Sequence, residues 1–269
     1  MSLIEHLTKQ TLCLHLAPQR LDCGVRKAGR LLPGSAASIA IDNPGGHWQL
    51  PLDALQQYLA QPEHPGAGLP LALSLSSRWC RMTLAPWSDA LLSEAGAARF
   101  LQNQMAALYG EAARAWSIAS DDAPYGQARL VCGIESELLQ ALQSVARVNG
   151  HACRVIESVL TVAWRAIAAS KPKAFALVEP GRLVLAAIAG GRIVALQAQP
   201  CPPAWRAELA PAWQRWSLRA PELAAIDEVA VIDLSGAPGT EHAGDEALPP
   251  RFRHAVAAAP QLIRESVWA

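Results

Sequence analysis

Charge is scarce in this sequence. Asp, Glu, Lys and Arg make up 17% of its 269 residues, against about 25% in a typical soluble domain. The 23 cations and 23 anions cancel, leaving a formal net charge of zero. Binding nucleic acid by neutralising phosphates needs clustered excess cation, and so does a polybasic membrane-surface binder; the composition argues against both. Disorder through self-repulsion is also excluded, because 51% of the residues are hydrophobic. Lysine supplies only four of the 23 cations, Lys9, Lys27, Lys171 and Lys173. Phe and Tyr number three each, whereas Trp numbers nine.

Several motifs are missing. No run approaches the ~18 uninterrupted apolar residues that a membrane span needs. Met1 to His6 lack the basic and apolar regions of a secretory signal. The six cysteines, Cys13, Cys23, Cys80, Cys132, Cys153 and Cys201, are scattered with no C-x-x-C pair. They read as reduced, buried small hydrophobes, with a Cys13–Cys23 contact across a hairpin as the lesser alternative. No phosphate-binding P-loop, G-x-S-x-G elbow or H-E-x-x-H helix is present. The seven histidines are isolated. His15 reads as a core histidine, and His64 and His242 as exposed loop residues. Glu241 to Glu246 reads as an acidic loop rather than a metal site, and Asp121-Asp122 as a turn. No catalytic residue and no metal ligand set can be assembled from spacing.

What is present is an ordered series of elements. Thr11 to Leu16 and Leu21 to Lys27 read as a hairpin turning at Ala17 to Arg20, and Ala37 to Ile41 as a third strand. A helix over Leu52 to Leu59 and a loop over Pro62 to Pro70 follow. Leu71 to Leu75 and Trp79 to Leu84 read as a strand pair. Helices are expected over Glu94 to Trp116, Ile134 to Val148 and Val159 to Ala169, with strands at Ala128 to Cys132 and Cys153 to Ile156. Phe175 to Val178, Leu183 to Ala189 and Arg192 to Gln197 are three apolar runs, the last two separated by Gly190-Gly191, a hairpin signal. Then come a helix over Trp205 to Leu218 restarting at Pro211, a strand at Val229 to Leu234, a loop to Pro250 and a final helix over Ala255 to Ser266. A meander leading into helices, used twice, predicts an α/β protein of two related lobes.

Three segments in this order resemble the actin-like ATPase fold. That fold opens each lobe with a strand ending in a D-x-G phosphate loop. Leu12 to Ala17 occupies the first such place, and Ala176-Leu177-Val178-Glu179-Pro180-Gly181 the second. Ala141 to Ile156 followed by Val159 to Ala169 is similar to the helix-Gly-strand-helix passage linking the lobes of PilM-like proteins, which are grouped with the MshI and GspL cytoplasmic domains. The resemblance implies two RNase H-like lobes, reduced in size: residues 1–158 form the first, and 159–269 the second and smaller one. It also implies a cytoplasmic, bacterial protein, peripheral at the inner membrane.

The nucleotide loops depart from that pattern. His15 stands where the first Asp should be, and Ala17-Pro18 where the glycine turn should be; proline has no N–H to offer a phosphate. In the second loop Glu179 could replace the Asp, but Pro180 follows it, before Gly181. The expectation is a degenerate site, with no ATP hydrolysis, no ATP binding and no cofactor. By resemblance the chain is then a non-catalytic assembly or scaffold protein of a type IV pilus or type II secretion-like machine, binding the cytoplasmic tail of an inner-membrane protein. The alternative is an actin-like ATPase or kinase with rearranged loops. A hydrolase or transferase on an α/β scaffold ranks below both. Trp205, Leu209, Trp213 and Trp216 recur at helical spacing. They read first as a buried face and second as an aromatic partner anchor made by Trp205, Trp213 and Trp216.

Overall fold

The computed structural model describes residues 10–236 and 247–255. The first sheet grows from a hairpin of β1 (Gln10–Ala17) and β2 (Arg20–Lys27), with Ala17 opposite Arg20 at the turn. Short strands β3 (Arg30–Leu31) and β4 (Ala37–Ala40) pair with the outer side of β2. After helix α1 (Gln49–Leu59), β5 (Leu71–Leu75) returns parallel to β1. An insertion follows: β6 (Arg81–Ala85), α2 (Glu94–Tyr109), β7 (Trp116–Ser120) and β8 (Arg129–Glu135), the strands forming a small antiparallel sheet in the order β6-β8-β7. Helix α3 (Ser136–Val148) leads back to β9 (Cys153–Ser158), parallel to β5, which completes the order β3-β2-β1-β5-β9.

Strand periodicity explains why this sheet forms. Leu12, Leu14, Leu16, Leu71, Leu73 and Leu75 all face one side. There they meet Leu55, Tyr58 and Leu59 of α1 and Leu138, Leu142 and Ala146 of α3. Each fully buried Leu contributes about 1.5–3 kcal/mol. The two helices place their apolar residues three and four apart, which matches one face of an α-helix.

The second sheet repeats the plan. After α4 (Val159–Ile167) come β10 (Ala174–Glu179), β11 (Arg182–Ala189) and β12 (Arg192–Pro200), an antiparallel meander. Helix α5 (Trp205–Arg219) then leads to β13 (Val229–Asp233) and β14 (Phe252–His254), both parallel to β10, giving the order β12-β11-β10-β13-β14. One face packs on α5 and the other on α4. The chain therefore passes directly from β9 of the first sheet into a helix buried against the second.

Several sequence expectations need correction. Leu71 to Leu75 and the following strand do not pair: β5 lies between β1 and β9, while β6 leaves to pair with β8. The helix expected through Trp116 stops at Tyr109, because Gly110 adopts φ +84. Trp116 then begins β7, where pairing with β8 overrides the helical propensity of the alanine-rich stretch. Helix α5 does not restart at Pro211. It runs through, since Pro211 is exposed while the tryptophan stripe is buried. Cys13 and Cys23 sit on opposite faces, Cys13 opposite Gly24 and Cys23 opposite Leu14, so they do not meet. All six cysteines are free thiols. His64 is buried, with its ring 5.0 Å from that of Tyr58 and 5.4 Å from that of His151. His242, the acidic loop and the expected final helix lie outside the described residues.

Candidate functional site

The two hairpin turns and the ends of β5 and β13 come together where the lobes meet. His15 lies on the polar side of β1, with Nδ1 2.9 Å from the Ser74 Oγ of β5. The Ser74 hydroxyl also donates to Leu14 O at 3.3 Å. A hydroxyl donates once, so satisfying both contacts puts the imidazole proton on Nδ1. That leaves Nε2 buried without a partner. Burial, and secondarily the Arg20 guanidinium, lower the His15 pKa to about 3. The ring is neutral at physiological pH and offers no carboxylate to a metal-bound water.

The first turn is built on Pro18 and Gln19, neither of which takes a positive φ. Buried Asn43 fixes it by donating to Pro18 O at 3.0 Å and to His47 O at 2.7 Å. Arg20 reaches across to the second lobe, donating to Leu234 O at 3.0 Å and Gly236 O at 2.7 Å past the end of β13. Its Nε forms an ion pair with Asp22 at 2.8 Å. A guanidinium thus lies between Ala17-Pro18 and the end of β13.

The second turn, Pro180-Gly181, is tight, with Gly181 at φ +75. Proline at its first position and a positive-φ glycine at its second suit a type II turn. Glu179 is buried, and its Oε2 accepts from the Ser77 backbone N–H at 3.0 Å and from the Ser77 hydroxyl. That carboxylate is committed to joining the lobes. Asp233 folds back onto its own loop, accepting from Ser235 N at 2.8 Å and Ser235 Oγ at 2.6 Å. These residues do not fit a magnesium nucleotide. The first carboxylate is a neutral histidine, the first turn lacks a proline N–H, Asp233 is bonded to its own loop, and Glu179 is tied through Oε2 to Ser77, leaving only its buried Oε1 without a hydrogen bond among the described residues. No group of three or more His, Cys, Asp or Glu among the described residues could hold a metal ion.

The tryptophans lie elsewhere. Trp205, Trp213 and Trp216 are buried in the second-lobe core, with Trp213 and Trp216 edge to face at 5.4 Å. An anchor needs exposed ring area, which these lack, so the partner-anchor reading is corrected to a core face.

Sequence reasoning missed a different feature. An apolar groove of about 390 Å³ lies between the insertion and the first lobe, lined by Ile118, Leu130, Ile134, Leu139 and Ile156. Ser117 to Asp121 and Ile156 to Ser158 also border it, so β7 and β9, each the edge strand of its sheet, form parts of its wall. The missed signal is the alternating Trp116-Ser117-Ile118-Ala119-Ser120: the helical reading takes Trp116 as its end and leaves Ser117 to Ser120 without an element. Arg20, Ser74 and Ser77 carried no motif.

Two successive lobes, each a three-stranded meander extended by two parallel strands, define an actin-like ATPase fold of reduced size. The structure is similar to the cytoplasmic domain of EpsL, an inner membrane component of the type II secretion system of Vibrio cholerae. That match has a TM-score of 0.53 and 15% identity, covering 95% of this chain and 93% of that one. It is similar to PilM in the PilM–PilN type IV pilus biogenesis complex, with a TM-score of 0.58 and 14% identity, covering 82% and 80%. It is also similar to a Bacteroides thetaiotaomicron protein with an actin-like ATPase fold and unknown function, with a TM-score of 0.55 and 11% identity, covering 90% and 88%. No known protein family and no curated protein matches the sequence. No helix among the described residues is long and apolar enough to cross a membrane.

Proposed function

We propose that this chain is a non-catalytic assembly component of a type II secretion or type IV pilus-like machine, working in the cytoplasm at the inner membrane. Its task is to hold the cytoplasmic tail of an inner-membrane protein. The observation that carries this reading is the apolar groove between two edge strands. An extended segment can add backbone hydrogen bonds to such an edge and place alternate side chains in the groove. The occupied nucleotide positions support the absence of catalysis, and the EpsL and PilM likenesses support the setting. The same reading divides the chain at 158/159 into two RNase H-like lobes, the second reduced.

The test uses synthetic peptides spanning the cytoplasmic tails of inner-membrane proteins encoded beside this gene. Fluorescence anisotropy is expected to show saturable binding, weakened about tenfold or more by Ile118→Asp. Absence of binding by every such tail overturns the assignment. Calorimetry with ATP and Mg²⁺ tests the second half: micromolar binding that weakens in Glu179→Ala would restore the ATPase reading.

A further inference from the structure

A second cavity, of about 420 Å³, lies where the lobes meet. Its walls come from the 45–48 loop and the first residue of α1, the 78–79 loop after β5 and the start of β6, the end of β8 and the turn between β10 and β11. Arg78, Arg81 and Arg182 line it, and Glu135 is the one carboxylate among the lining residues. Three of the few cations in a charge-poor chain therefore share one cleft.

The cluster is held in place. Arg78 donates to Gly45 O at 2.9 Å and to Gly46 O at 3.2 Å. Gly46 sits at φ +67, which favours glycine, and a Cβ there would come within 2.3 Å of the Arg78 Nε, so a larger residue would push this guanidinium out of its present place. Glu135 accepts from the Trp48 indole at 2.9 Å. Arg81 and Arg182 have no ion pair among the described residues. The Arg182 Nε is buried with no hydrogen-bond partner.

Such an arrangement is costly when empty. Desolvation first, and then Arg81, push the Arg182 guanidinium below the usual arginine range, with Glu179 partly opposing. Glu179 offsets this only in part: its Oε2 is held by Ser77, and its buried Oε1 makes no hydrogen bond to Arg182 or to any other group among the described residues. Guanidinium forks match the oxygens of phosphates and carboxylates in bidentate geometry. A cavity of this size has room for a small molecule.

We propose that the inter-lobe cavity binds a compact multivalent oxyanion, a phosphate ester or a polycarboxylate, through Arg78, Arg81 and Arg182 and without a metal ion. The site keeps the β10–β11 turn as one wall but replaces the metal's neutralising charge with side chains. This inference does not rest on the assembly role. A protein that fails to bind tails can still bind the anion, and the reverse holds equally.

Calorimetry in buffer freed of metal by a chelating resin, with inorganic pyrophosphate and, separately, citrate, tests it, with sodium chloride at matched ionic strength as the control. Saturable binding is expected, and the tighter of the two probes identifies phosphate or carboxylate as the natural group. Arg81→Ala combined with Arg182→Ala is expected to weaken it about tenfold or more. Glu135→Gln, which removes a carboxylate from the wall, is expected to tighten it about threefold, a gain that a misfolded variant cannot give. No saturable binding in the metal-free buffer, binding only with Mg²⁺, or an unchanged affinity in both variants overturns the proposal.

Discussion

In the second sheet both faces are apolar. Ala176, Leu185 and Val231 pack toward α5, while Phe175, Leu177 and Ile232 pack toward α4. In the first sheet Leu12, Leu14 and Leu73 make one such face, but Cys13, His15 and Ser74 lie buried on the other. A buried polar group is tolerated only with a partner, and here the partners come from inside the sheet: Ser74 for the His15 Nδ1, and the Leu14 carbonyl for Ser74. One strand order thus supports two kinds of interior. The second sheet is apolar across both faces and keeps its buried acids, Glu179 and Asp233, at the strand ends, while the first closes a polar seam over the place where the fold elsewhere keeps its chemistry.

The largest test of that contrast lies in the second lobe. Trp213→Ala removes a buried indole from a core with no polar support and should cost about 3–5 kcal/mol, read as a fall in the urea midpoint. A stable variant would mean that the tryptophan face is not core.

Next comes the seam. The His15 pKa falls from 6.5 to about 3 on folding. Between those values the unfolded chain binds a proton that the folded chain refuses, so stability is lost as pH drops through this window. At pH 4 the loss attributable to His15 is about 3 kcal/mol. His15→Gln should flatten the pH dependence of the urea midpoint between pH 7 and pH 4. Asp22 and Glu157, whose carboxyls burial raises, act in the opposite sense and are common to both proteins, so they cancel. An unchanged slope would show that His15 is solvated.

Smaller effects should come from the ties between the lobes. Ser77→Ala deprives the buried Glu179 of a hydroxyl donor and should cost about 1–3 kcal/mol. Arg20→Ala removes a more exposed latch. It should cost about 1 kcal/mol or less, but it should speed hydrogen exchange at Leu234 and Gly236. Exchange that does not change there would remove Arg20 as a link.

Most of the architecture was legible because it rests on local signals. Both hairpins, the central strands and the helices over 136–148 and 159–167 show clear periodicity, and their order carried the fold. What failed depended on partners distant in sequence. β5 and β6 read as a hairpin because nothing nearby shows that β1 and β9 flank β5. β7 was missed after the helix expected to end at Trp116, because its five residues pair with β8 across a loop, and β14 was hidden by its three-residue length. The loss of the first nucleotide carboxylate was readable at His15. What replaced it was not: Arg20, Ser77 and the arginine cleft are assembled from residues as much as 216 positions apart.

Ser158 serves two elements at once. It is the last residue of β9, paired with Leu75, and its hydroxyl accepts from Leu160 N at 3.2 Å to cap α4. No spacer separates a strand of one lobe from a helix embedded in the other. The backbone has no slack at this junction, and β9 is a wall of the apolar groove. One serine thus joins the wall of the groove to the helix that packs on the second sheet.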